Sequence, residues 1–245
     1  MMRILGYIIS LAGILQCSGL EAQQIPKRER DWVPSALYLS LDPVSYLSHL
    51  SGDDYHYEMR AKVDFDNFFM VFDYGSVASN LGASDFDYHS DGSFFRIGPQ
   101  VNFMPYSASR SSLCFGVQYG HAQFEDKIDY FVPGETWNDA SLRFQNNQVA
   151  ASWFETTLGL SAQIVGPLYM GYTVRFRLGM SRSETDELTP YEIPGFGPAR
   201  KASNFGFSYY ITYRFGFRNK PVPSRPVRPK RLENTGNDSR QPSNQ

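Results

Sequence analysis

The sequence predicts an all-β fold, an eight-stranded antiparallel up-and-down transmembrane β-barrel with an N-terminal signal peptide and a disordered C-terminal tail. Three observations predict it. Long stretches alternate apolar and polar residues with a period of two, tight turns alternate with longer connections, and the one long apolar run stands at the N-terminus.

The alternation is cleanest in Ser203–Arg218. One face carries Phe205, Phe207, Tyr209, Ile211, Tyr213, Phe215 and Phe217; the other carries Gly206, Ser208, Tyr210, Thr212, Arg214, Gly216 and Arg218. Leu168–Ser181 repeats it, with Leu168, Met170, Tyr172, Val174, Phe176, Leu178 and Met180 set against Tyr169, Gly171, Thr173, Arg175, Arg177, Gly179 and Ser181. An eight-stranded barrel has room inside only for the side chains that fill it, so two such aromatic rows and those of six more strands do not fit there. Energy gives the same orientation, because an arginine turned toward hydrocarbon near the midplane costs about 2–4 kcal/mol. The aromatic rows therefore face outward, toward lipid, and Arg175, Arg177 and Arg214 face the lumen.

A chain of 245 residues could hold one barrel or two small domains. Aromatic residues make up 16% of it while its mean hydropathy is negative, −0.39, which suits strands that alternate aromatic and polar residues better than membrane helices. The net charge of −2 names no partner and gives no ground for nucleic-acid binding. Arg3 followed by Ile4–Leu15 and by Glu21-Ala22-Gln23 predicts a signal peptide over residues 1–22, cut after Ala22, although Leu20 is bulky for its place. Cys17 raises a lipoprotein alternative, which Gln16 before it fits poorly. Without Cys17, Cys114 is the one remaining cysteine, so no intramolecular disulfide forms. No later run reaches the ~18 apolar residues of a membrane helix.

Residues 23–34 form a polar linker and residues 35–218 the barrel. The first strand is Ser35–Asp42, followed by a connection with a helical turn around Val44–Leu50. Tyr55–Asp66 comes next, then the tight turn Asp66-Asn67 into Phe68–Ser76. A longer polar connection runs through Ser90-Asp91-Gly92 to the strand Ser93–Met104, in which outward Pro99 is awkward. The short turn Pro105–Arg110 leads to Ser111–Phe124, a long loop covers Glu125–Asn147, and Val149–Val165 turns at Gly166-Pro167 into Leu168. A second long loop is Arg182–Ala202. Short turns on the periplasmic side and long loops outside would put both termini in the periplasm of an outer-membrane protein. Residues 219–245, rich in proline and basic residues, lack the apolar content for a core and are expected to be disordered.

The predicted lumen holds a structural charge network of Glu58, Arg60, Lys62, Asp64, Asp73, Arg96, Glu155, Arg175, Arg177 and Arg214. Groups so crowded and dehydrated must pair, which makes a salt-bridge plug. Asp85, Asp87, His89 and Asp91 share one side of an extended chain, and Asp87, His89 and Asp91 are candidate ligands for a divalent cation. Against this, Gly98 stands where a calcium loop needs its bidentate acid and histidine is a poor ligand for a hard cation. His89-Ser90 sets a hydroxyl beside a histidine in sequence, but neighbours in a strand face opposite sides, so no catalytic residues are assigned. Aromatic and aliphatic residues at Tyr130, Phe131, Val132, Trp137, Tyr191, Ile193 and Phe196 fall in predicted loops, where they could form a contact surface or fold back over the barrel mouth.

The segment Tyr191–Phe217, with SFFRIG (Ser93–Gly98) and LYLSLDPVSYL (Leu37–Leu47), resembles a family of uncharacterised outer-membrane β-barrels of Gram-negative bacteria, a domain of unknown function. The likeness covers about Ala36–Phe217 and is most specific in Ile193-Pro194-Gly195-Phe196-Gly197 and Asn204-Phe205-Gly206-Phe207. It implies a barrel, often accompanied by a small secreted neighbour, and no activity; relatives usually lack the tail. Tyr213, Phe215 and Phe217 look like the signal read by the barrel-assembly machinery. The function expected is non-enzymatic, a structural or interaction role as an accessory in an envelope assembly. Outer-membrane lipid and the assembly machinery are the expected partners, with a periplasmic or lipoprotein partner reached through Lys220–Arg231, and no cofactor is expected. The alternatives are a soluble lipocalin-like barrel binding an apolar ligand and a lipid-modifying enzyme.

Overall fold

The computed structural model describes residues 32–48, 55–83, 86–132, 140–183 and 189–223. The signal peptide, Cys17, Asp85, Trp137 and the tail from residue 224 onward lie outside the described residues. All elements fall in the compact unit Val33–Gln245: β1 (Ala36–Leu41), α1 (Pro43–Ser48), β2 (Tyr55–Asp64), β3 (Phe68–Gly82), β4 (Phe86–Asn102), β5 (Ser112–Val132), β6 (Ala140–Val165), β7 (Leu168–Arg182), β8 (Glu192–Ile193), β9 (Gly197–Pro198) and β10 (Ser203–Gly216). Eight strands close a barrel in the order β1-β10-β7-β6-β5-β4-β3-β2, every pair antiparallel, and β8 with β9 makes a separate two-stranded hairpin.

The tight turns obey local chemistry. Asp66 and Asn67 both have positive φ, 60° and 70°, and Phe65 and Phe68 exchange backbone hydrogen bonds across them. That is the two-residue hairpin geometry whose twist matches the flanking strands, and aspartate and asparagine tolerate it. At the same end of the barrel the Ser35 carbonyl accepts from the amides of Phe217 and Arg218, so the two ends of the barrel sequence meet there. β1 is short. After it Asp42 caps α1, its Oδ1 accepting from the Val44 and Ser45 amides at 3.0 and 3.2 Å, and α1 packs against both β2 and β10.

Toward the turn end the wall is apolar outside and polar inside. Phe205 is 71% exposed and Leu178 46%, whereas Arg175 and Arg96 are 0%. The soluble alternative needs the reverse, so its orientation is not the one this chain adopts. Farther from the turns the phase inverts. Beyond Tyr119, β5 faces outward with His121, Gln123, Glu125, Lys127 and Asp129, and inward with Ala122, Phe124 and buried Ile128. This inversion corrects several expected boundaries. The stretch through Ser90-Asp91-Gly92 is part of β4, paired with β3 over Val77–Gly82, so the connection between them is only 83–85. Most of the expected loop Glu125–Asn147 is two long strand arms, β5 to Val132 and β6 from Ala140. Tyr130 and Phe131 are therefore strand residues, Tyr130 packing its ring against Phe86 and Phe144.

Candidate functional site: a filled and sealed barrel interior

Each inward position of the charged tier comes from a strand whose opposite face is apolar, so the alternation itself delivers the charges to the axis. Arg60 on β2 grips Asp73 on β3 bidentately, Nε to Oδ1 at 2.6 Å and Nη2 to Oδ2 at 2.9 Å. Arg175 on β7 occupies the centre. Its Nε donates to Glu155 Oε1 at 3.1 Å, and its Nη2 reaches Glu58 Oε1 at 3.1 Å, Asp73 Oδ2 at 3.2 Å and the Tyr210 hydroxyl at 2.5 Å, while Nη1 donates to Ser208 Oγ at 2.6 Å. Tyr210 in turn donates to Glu58. Arg96 lies 2.5 Å from Glu58 Oε2 and within 3.8 Å of Asp73 and Glu155. None of its nitrogens has a well-directed hydrogen bond, so charge and its stacking over Phe94 at 4.7 Å hold it. Glu58, Asp73 and Glu155 thus balance Arg60, Arg96 and Arg175 in a dehydrated tier where an unbalanced charge would be costly.

Of the other predicted members only Arg177 reaches this tier. Arg177 is 3.6 Å from Glu155 and spends Nη1 on the Phe196 carbonyl at 3.0 Å. Lys62, Asp64 and Arg214 are not in the ion-pair tier, because the register sets them nearer the turns. There Lys62 lies over the rings of Phe69 and Tyr38 at 4.3 and 4.8 Å, Arg214 donates to the Tyr38 hydroxyl at 3.2 Å, and Asp64 accepts from the Asn67 amide. Tyr38, Phe69 and Tyr169 form edge-on ring pairs that close this end. Between this layer and the charged tier is a cavity of about 30 Å³ lined by Ser40, Lys62, Gln100, Thr173 and Thr212, room for a water or two.

The opposite mouth is closed by the β8–β9 hairpin. Ile193 and Phe196 sink among Phe94, Phe124, Val149 and Trp153, with Trp153 and Phe196 edge-on at 5.8 Å. Gly195, at φ +75°, rides directly on the Phe94 ring, where any Cβ would collide with it. The Asn204 amide and Arg177 both donate to the Phe196 carbonyl. The lumen is therefore not polar throughout: an apolar plug tops the charges. Tyr213 and Phe215 face outward with their rings 4.7 Å apart, and Phe217 follows just beyond β10.

Asp87, His89 and Asp91 sit on the outward face of β4 at alternate positions, and no group of three or more potential metal ligands comes together among the described residues. His89 Nδ1 instead meets Asn80 Oδ1 at 2.5 Å. Nor is His89-Ser90 the only histidine beside a hydroxyl, because β5–β6 register brings His121 Nδ1 to 2.9 Å from Ser152 Oγ, which also accepts from Tyr119 at 3.0 Å. No linear motif could disclose that pair, since its members lie on different strands.

In the arms, Asp126 is buried between β5 and β6, accepting from Asn146 at 3.0 Å and Tyr88 at 3.4 Å. Burial raises its pKa. A carboxyl raised on folding weakens the fold once ionised, and the penalty is relieved as pH falls through the folded pKa. Asp126→Asn is therefore expected to raise the thermal midpoint at pH 8 more than at pH 4.5, measured by melts at both.

A family model described as Domain of unknown function (DUF6048) matches residues 4–220. No curated protein matches the chain. Among solved structures it is similar to Ail, the attachment invasion locus protein of Yersinia pestis, at 10% identity and TM-score 0.36 over 74% of this chain and 97% of that one. It is also similar to CarO2 of Acinetobacter baumannii, at 9% identity and TM-score 0.37 over 75% of this chain and 99% of that one.

Proposed function

Because the chain belongs to the family described as Domain of unknown function (DUF6048), which carries no activity with it, we propose its role from geometry: a non-enzymatic outer-membrane barrel with a closed lumen, acting as a structural or interaction accessory of the envelope. One observation carries this reading. The exposed apolar wall, from Leu168 to Leu178 on β7 and from Phe154 to Ile164 on β6, has the length of the roughly 9–11 residues a strand needs to cross a bilayer, and it wraps an interior filled with paired charge. Water would penalise such a wall; acyl chains would not. A lumen filled by Arg175, Arg96 and Trp153, then capped by Phe196, favours a scaffold over a pore.

In this reading the tight turns and both chain ends face the periplasm, and Tyr213, Phe215 and Phe217 serve as the assembly signal. The first residues of the tail support a periplasmic contact: Lys220 pairs with Asp66 at 3.3 Å and its carbonyl accepts from Arg110, which fixes the root of the basic Lys220–Arg231 segment at the barrel mouth. Membrane fractions run on a detergent gel should show faster migration unboiled than boiled, and the purified protein should leave a planar bilayer unconductive. Release into the soluble fraction with identical migration would refute the barrel reading; steady conductance would refute the closed lumen.

A further inference from the structure

The plug hairpin leaves a cleft of about 350 Å³ between itself and the far end of the β6–β7 wall. Arg182, Arg200 and Lys201 line it together with Ser152, and the buried Trp153 and Phe196 lie beneath. All three rim cations are exposed, and none is in an ion pair among the described residues. The acid whose field reaches Arg182 is Asp126, already engaged by Asn146 and Tyr88. So three positive charges line one cleft with no ion-pair partner among the described residues. Their height along the wall is informative too. Phe154 and Phe205 are the last outward apolar residues of β6 and β10 before this rim.

We propose that this cleft binds a phosphate ester, with Arg182, Arg200 and Lys201 on the phosphate. Guanidinium groups suit phosphate because they donate in a fixed planar fork, and lysine adds a point charge. Where the apolar wall ends, the nearest phosphates are those of lipid headgroups; a soluble phosphate ester presents the same chemistry. Ser152, tied to His121 and Tyr119, adds a hydroxyl at the edge. The site binds and does not cleave: Ser152 is paired in the ladder with His121 on one side and Ser181 on the other, so its backbone offers no spare amide to steady an oxyanion.

The height argument rests on the membrane reading, whereas the binding chemistry does not, and titration in micelles tests it separately from the gel shift. The full chain in a phosphate-free maltoside is titrated with dioctanoyl phosphatidic acid, dioctanoylglycerol and sodium phosphate, with adducts followed by native mass spectrometry. The phosphatidic acid should bind while dioctanoylglycerol does not, and the triple variant Arg182→Gln, Arg200→Gln, Lys201→Gln should bind it about tenfold or more weakly. Competition by sodium phosphate alone would identify a soluble ester as the ligand; its failure would identify a lipid headgroup. The singles Arg200→Gln and Lys201→Gln, exposed and outside the strands, serve if the triple misfolds, and the pair Lys127→Gln, Arg143→Gln on the outer arms should change nothing. Equal binding of dioctanoylglycerol, or unchanged affinity in the rim variants, would overturn the site.

Discussion

Arg175→Met is expected to leave too little stability for a heat-resistant barrel to persist. The substitution keeps most of the volume but leaves Glu58, Asp73 and Glu155 with Arg60, Arg96 and the edge contact of Arg177, and removes donors to Ser208 and Tyr210. Breaking one buried pair costs about 3–5 kcal/mol, against a total stability of about 5–15 kcal/mol for a typical domain. Urea titration in detergent, with the folded band on unheated gels as readout, should show the midpoint collapse. Adding Glu155→Leu restores charge balance among the most deeply buried groups and should recover a large part of the loss, which a simple packing defect would not allow. Arg143→Ala, whose partner Asp129 lies on the solvent side of the arms, should shift the midpoint little.

Phe196→Ala should undo the plug while leaving the wall intact. The ring is 3% exposed and meets Trp153, so its loss costs about 3–5 kcal/mol, and the hairpin it anchors is otherwise held by buried Ile193 and a few hydrogen bonds. At tenfold per 1.4 kcal/mol, hydrogen exchange at the Phe196 and Ala199 amides should quicken by roughly a hundredfold or more, with barrel amides unchanged. Equal acceleration throughout would mean that the hairpin and the barrel open as one unit.

Where the chain faces a single outside medium, its pattern could be read directly. β7 and β10 were legible residue by residue because aromatic and polar side chains alternate without interruption. Past Tyr119 the same strand leaves the apolar belt, so Gln123 and Glu125 now face out and Ala122 and Phe124 face in. A search for outward apolar rows loses the strand at that crossing, and the arms look like loops. The charged residues of the lumen were legible by the same parity rule, but which of them meet was not. Lys62 and Arg60 share a face of β2, yet only Arg60 is level with Asp73 on the neighbouring strand; the vertical position depends on register. Phe196 shows a further limit, since PGFG announces a turn without saying whether its aromatic points into the barrel or toward solvent.

The closing strand has a kinetic meaning. β1 joins β10 through only the pairs from Ala36↔Gly216 to Leu41↔Ile211, residues from opposite ends of the barrel sequence. Every other junction zips between neighbours in the chain, so this one needs the largest loop closed and should form after the rest. That late closure, across a junction as short as β1–β2, makes it the hinge line along which the cylinder would unroll, with α1 packed on β2 and β10 to either side as a latch.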